Sequence, residues 1–298
     1  MTLWVLIAII AYLLLALNGV ADKFLLTKAV GDPGVYAFYV SVTSLVVLLL
    51  APFGLHGLSP ENYLVALTGG ACFTFALYFF YSSIQKASIS RILPIEGGLV
   101  PFFTLVLAYV TGIDSLNHKQ LVAFALLVIG AVLIDFKKTR KGWHPLALRD
   151  TLLAGALFAT SFILTKFIYN HAGFISGLIW TRLGLTLGAL FMLAMPKTRR
   201  GIFSAPANTS SKNKLLFYSS HLAGSAGSFL QNYAIALGSV VIVNALQGVQ
   251  FVFILFLSVT FSKFFPTILK EDIHGRILVQ KIIAIVLITS GLVLLNIR

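Results

Sequence analysis

Charge is what this chain has least of. Only 10% of its 298 residues are Asp, Glu, Lys or Arg, while 58% are hydrophobic. A soluble domain carries roughly 25% charged residues, so no water-facing surface of normal size can be built here and most of the surface must meet lipid. Cysteine is nearly absent as well: Cys72, between Ala71 and Phe73, stands alone. One thiol forms no internal disulfide and leaves the redox compartment open. The motifs of common enzymes are missing too. There is no His-Glu-x-x-His, no Gly-x-Ser-x-Gly and no Gly-x-x-x-x-Gly-Lys-Ser/Thr loop, and the histidines at 56, 118, 144, 171, 221 and 274 are scattered. Those absences argue against zinc-peptidase, serine-hydrolase and ATP-driven chemistry. The first 21 residues hold no charge. Without the basic start of a signal peptide, and with an apolar run long enough to span, they read as a first transmembrane helix.

What is present is a series of long apolar runs. They predict an all-α integral membrane protein with helices at about 3–22, 33–54, 63–84, 88–111 and 119–135, then 150–170, 174–195, 215–236, 239–262 and 278–297. The uncharged stretch 215–262 is too long for one crossing and divides at Ala236-Leu237-Gly238-Ser239, where Gly and Ser relax the backbone. Other breaks fall at Gly31-Asp32-Pro33-Gly34 and Gly57-Leu58-Ser59-Pro60, and the polar tracts 137–143 and 196–214 read as flexible loops.

The net charge of +13 does not indicate nucleic acid, because the basic residues sit in short tracts between the apolar runs. With ten spans, 18 of the 22 lysines and arginines fall on one side, Lys119 and Arg298 on the other, and Lys166 and Arg182 inside spans. That bias places the basic side in the cytoplasm and both termini outside, in a cell membrane.

The two halves resemble each other. Lys23 in Ala21-Asp22-Lys23-Phe24 corresponds to Lys166 in Leu164-Thr165-Lys166-Phe167, Ser88 to Phe102 aligns with Ser239 to Phe253, and Gly130 aligns with Gly291. Five helices per half make the second half enter the membrane from the opposite face. Residues 1–136 and 150–298 are thus expected to be inverted-topology repeats joined by a basic cytoplasmic linker, 137–149. Transporters built this way hold their site at the repeat interface.

On these residues the chain resembles the ten-helix, EamA-type members of the drug/metabolite transporter superfamily. In the first half the resemblance rests on Ser88, Pro101-Phe102-Phe103, Asp114, Gln120 and Gly130-Ala131-Val132-Leu133. In the second it rests on Ser239, Gln250-Phe251-Val252-Phe253, Glu271, Gln280, Leu287-Ile288 and Gly291. The chain departs from the family at Asp114, usually Glu, and at Val252, usually Pro. The resemblance implies secondary transport of a small metabolite such as an amino acid, a sugar or a drug-like solute, often proton-coupled, with no cofactor or metal. A homodimer is compatible with it. The competing readings are a membrane structural or interaction protein and, more remotely, an intramembrane enzyme.

Polar residues inside spans are costly and mark function or helix pairing. Glu96 lies in Leu93-Pro94-Ile95-Glu96-Gly97-Gly98, where a proline and two glycines predict a broken helix beside a carboxylate. Asn244, Gln247 and Gln250, spaced three apart, form a stripe on one helical face. Asn232 shares a face with His221, Ser225 and Ser228, while Asn18 with Asp22 and Ser161 with Thr165 are i, i+4 pairs. Lys23 and Lys166, near helix ends, can snorkel to water. Arg182 sits about 12 Å from the outer end of its helix and Glu96 about 12 Å from the inner end of its own. In a core about 30 Å thick the two depths differ by about 6 Å, so Arg182 is expected to offset a carboxylate, Glu96 first and Asp22 second.

Overall fold

The computed structural model describes residues 2–29, 32–87, 89–135, 145–203, 211–261 and 275–296. The stretch 136–144 of the basic linker, Ser88, residues 204–210 and Glu271 lie outside the described residues. Every described element is helical: α1 (Leu3–Ala29), α2 (Pro33–Thr43) continued by a 3-10 segment (Ser44–Phe53), α3 (Pro60–Lys86), α4 (Ile89–Thr111), α5 (His118–Asp135), α6 (Pro145–Ala172), α7 (Phe174–Met192), α8 (Pro196–Phe203), α9 (Ser211–Leu237), α10 (Val240–Ala245), α11 (Gln247–Phe261) and α12 (Gly275–Asn296). Eight segments are long and apolar enough to cross a membrane, and α5 is a shorter apolar helix. Lipid is the only solvent that suits the outside of this bundle, where Leu49, Leu64, Tyr109, Val110, Phe191 and Val286 are exposed.

Local chemistry sets the helix ends. Asp32 caps α2 by accepting from the Gly34 and Val35 amides, with Pro33 at the first helical position. Ser59 caps α3 in the same way, ahead of Pro60. Gly173, at φ +68°, makes the tight turn between α6 and α7 that a side chain would strain. The 3-10 continuation of α2 was not anticipated. At the switch point the Thr43 hydroxyl donates to the Tyr39 carbonyl at 2.8 Å and the Ser44 hydroxyl to the Ser41 carbonyl at 2.6 Å. Such back-bonding competes with the α-helical ladder and bends it.

Small residues decide which helices touch. α3 lies against α6 and α7, α1 against α9 and α11, and α5 against α12. Gly70 of α3 meets the Thr181 carbonyl of α7, and Gly184 of α7 meets the Leu67 backbone of α3. In the α5–α12 pair, a methyl on Gly130 would lie 3.0 Å from the Ala284 carbonyl, and one on Gly291 3.0 Å from the Ala123 carbonyl. Close backbone approach of this kind drives helix association where no hydrophobic effect exists. The central element is α10, every residue of which is buried.

One expected loop is structured. Residues 196–203 form α8, which docks on α2: Thr198 donates to Asp32 at 2.9 Å, Lys197 lies 3.6 Å from the same carboxylate, and Tyr39 donates to the Ile202 carbonyl at 3.3 Å. Asp32 therefore serves twice, as helix cap and as anchor for the following basic segment. Sequence spacing gave no sign of that pairing, because 166 positions separate Asp32 from Thr198.

Candidate functional site

Among the described residues, two clusters of interior polar groups flank α10. The first joins α4 to α10. Asn244, 2% exposed, donates to the Thr104 hydroxyl at 3.1 Å, and that hydroxyl donates to the Val100 carbonyl at 2.7 Å. Two turns before Thr104 on α4 comes Glu96, 4% exposed, with no hydrogen-bond partner at either carboxyl oxygen. The Asn244 carbonyl oxygen is likewise without a partner.

The helix around Glu96 differs from expectation. α4 is continuous, with Pro94 and Pro101 inside it. Pro94 lies close enough to the helix start that it removes only the bond to the Ser90 carbonyl. The glycines that follow serve packing instead: a methyl on Gly97 would meet the Phe251 ring at 2.6 Å, and one on Gly98 the Val132 side chain at 2.8 Å. The interruption falls in the aligned helix of the second half, at Leu246 between α10 and α11. Asn244 and Gln247 consequently belong to different helices and do not form one continuous stripe; Asn244 is buried, while Gln247 and Gln250 are half-buried.

The second cluster joins α6, α7 and α9. Arg182, half-buried on α7, donates from Nη2 to the Ser228 hydroxyl at 3.0 Å. Asn232 donates to the Ser228 carbonyl at 2.8 Å and accepts from the Tyr169 hydroxyl at 2.8 Å. The expected Arg182–Glu96 pair is absent, since Glu96 has no partner and Arg182 contacts Ser228. Similar depth does not bring the two together, because α4 and α7 are not among the packed helix pairs of the described residues and α6 contacts both. The side chains of Asp22, Lys23 and His221 lie outside the described residues.

Tyr12 of α1 links the clusters and was not singled out from the sequence. Its hydroxyl donates to the Val243 carbonyl at 2.7 Å and accepts from Gln231 at 3.2 Å. Gln231 adjoins Asn232, and Val243 adjoins Asn244, so a polar thread runs from α7 through α9 and α1 to α10 and α4. Asn18, further along α1, packs against Gly224 of α9, where a methyl would come within 2.8 Å of its amide carbon. Ser161 is buried on α6 beside Gly69 of α3, whose missing side chain lets the two backbones approach.

Three further charged groups are satisfied. Lys166 does not snorkel: its amine donates to the Ile235, Ala236 and Gly238 carbonyls at 2.9, 3.2 and 2.9 Å, capping α9. Opposite it, Asp114 accepts from the Ser239 hydroxyl at 2.7 Å and the Val241 amide at 3.3 Å, at the start of α10. Asp150, 1% exposed, is the third. It is held by Lys86, by Ser82 at 2.7 Å and by Arg149 at 2.8 Å. Its position at the edge of an apolar run hid it in the sequence, although Lys86 and Arg149 flanking the same two helices were a usable signal.

Residues 2–135 match the EamA-like transporter family. No curated protein matches the chain. A protein of known crystal structure, 15% identical, superposes over 97% of this chain and 94% of its own with a TM-score of 0.66. At that identity the likeness concerns the fold. The chain is a multi-pass integral membrane protein, and its first half, residues 2–135, is similar to the EamA-like transporter family.

Proposed function

We propose that the protein is a secondary transporter of a small metabolite, working by alternating access across a ten-span bundle of two inverted five-helix repeats, 1–136 and 150–298. The observation that carries this is the interior thread with two charged residues, Glu96 and Arg182, that meet no opposite charge among the described residues. A purely structural membrane protein gains nothing from buried groups left so poorly satisfied. The packing supports the repeat: α3 on α6 is matched by α9 on α1, α4 on α6 by α11 on α1, and α5 and α12 press reciprocal glycines together. In this reading α5 and α9 complete the ten crossings, the basic loops face the cytoplasm, and both termini lie outside. Single-cysteine probes in a Cys72→Ser background check the topology. A probe at 204–210 should resist an impermeant reagent applied outside intact cells, and labelling there would overturn the orientation.

Glu96 is the coupling group in this proposal. A buried carboxylate with no partner is far cheaper protonated than ionised, and its aligned position in the second repeat is the non-titrating Gln247. One titratable side in a two-sided cavity fits one proton per cycle. Asn244, Gln247, Gln250, Asn18, Asn232 and Ser161 are the accompanying polar groups for solute or for helix pairing around it. The test is flux in proteoliposomes. Glu96→Gln should abolish uptake driven by a pH gradient while solute exchange without a gradient survives. An unchanged pH profile in Glu96→Gln would show that the residue is structural.

A further inference from the structure

We propose that the solute is a small organic anion, bound through its carboxylate or phosphate group by Arg182 with the help of Ser228. This rests on the transporter reading and names the class of solute for it. Three cations on the interior helices can be compared. Lys86 is paired with Asp150, and Lys166 has three carbonyls, one for each N–H of its ammonium. Arg182 has five N–H donors and, among the described residues, a single hydrogen bond, to a neutral hydroxyl.

Among the described residues, the buried acidic side chains are engaged elsewhere or face no partner. Asp32 binds Thr198 and Lys197, Asp114 binds Ser239 and Val241, and Asp150 binds Lys86 and Arg149. Glu96 is unpartnered and so is not the counterion. No carboxylate of the described residues lies within 4 Å of the guanidinium. A cation in a bilayer interior needs a counterion or a full set of acceptors, and the solute supplies the missing anion.

The neighbours suit this role. Ser228 accepts from Arg182 through its oxygen, which leaves the hydroxyl proton to donate. Tyr169 donates to Asn232, which in turn donates to the Ser228 carbonyl, so they hold α6 and α9 in place around the guanidinium and bring no negative charge. A planar guanidinium fork beside a hydroxyl donor matches the paired oxygens of a carboxylate or phosphate. With Glu96 carrying a proton, an anion and a proton travel together and the loaded bundle gains no net charge.

Binding and flux are tested separately. Purified protein in neutral detergent is titrated at constant ionic strength with benzoate, benzamide, succinate, succinamide and inorganic phosphate, and thermal unfolding is followed. At least one anion should raise Tm while its neutral amide does not; phosphate alone, or a carboxylate alone, tells the two headgroups apart. Arg182→Gln should weaken that binding at least about tenfold, as expected for lost hydrogen bonds to a charged group, with Arg182→Lys and Ser228→Ala between it and wild type. Asp22→Asn should leave the affinity unchanged. Equal stabilisation by benzamide and benzoate, no stabilisation by any of the three anions, or unchanged affinity in Arg182→Gln would each overturn the proposal. So would tighter binding in Asp22→Asn, which would reveal an internal counterion. The comparison of acid with amide needs only the wild-type protein and stands even if Arg182→Gln does not fold. Anion binding without flux in liposomes would sink the transporter reading and keep the anion site; flux of neutral solutes alone would do the reverse.

Discussion

The Asp150 cluster and the Glu96–Arg182 region hold the same kinds of charged side chain and treat them in opposite ways. Asp150 is as closed to solvent as Glu96, though it lies near the start of α6, and it collects Lys86, Arg149 and Ser82. Glu96 collects nothing, and Arg182 has one hydroxyl. A carboxylate that meets its partners in the resting bundle fastens α3 to α6. One that meets none is, in the proposed cycle, left for something that comes and goes. Exclusion from solvent alone therefore does not separate the two kinds of charge; the state of their partners does.

Three substitutions sharpen or break that contrast, read as unfolding free energy in detergent. Asp150→Ala should cost most, about 2–4 kcal/mol, because it strands the half-buried amine of Lys86 and the buried Ser82 hydroxyl. Lys166→Met comes next, at about 1–3 kcal/mol, since three carbonyls at the end of α9 lose their donor. Glu96→Gln should cost least, under about 1.5 kcal/mol, because it keeps the shape and breaks no hydrogen bond. If Glu96→Gln proves as damaging as Asp150→Ala, the contrast fails and Glu96 has a structural partner in the bilayer.

Much of this could be read from the chain. The apolar runs located the long helices to within a few residues at most ends, and the turn at Gly238-Ser239 is where backbone relaxation predicted it, with Ser239 capping α10 through the Ile242 amide at 3.1 Å. Glu96, Asn244, Asn232 and Arg182 stood out because polar residues are rare in apolar runs, and all four lie on the interior thread or beside it. Tyr12 did not stand out. A tyrosine in a membrane helix is ordinary until its hydroxyl is found on a carbonyl of α10.

Composition and periodicity alone determined that this is a membrane bundle, where its helices run and which few polar groups it must shelter. Those are one-dimensional properties, set by the cost of placing each residue in lipid. Pairing was decided only by the tertiary structure: Lys166 on the end of α9, Asp32 under α8, Arg182 with Ser228 and no carboxylate of the described residues, and a break at Leu246 where Pro94 and the glycines pointed to α4. Partners 46 to 166 positions apart meet because small residues let particular helix backbones approach, and helix spacing carries no record of which helices those are.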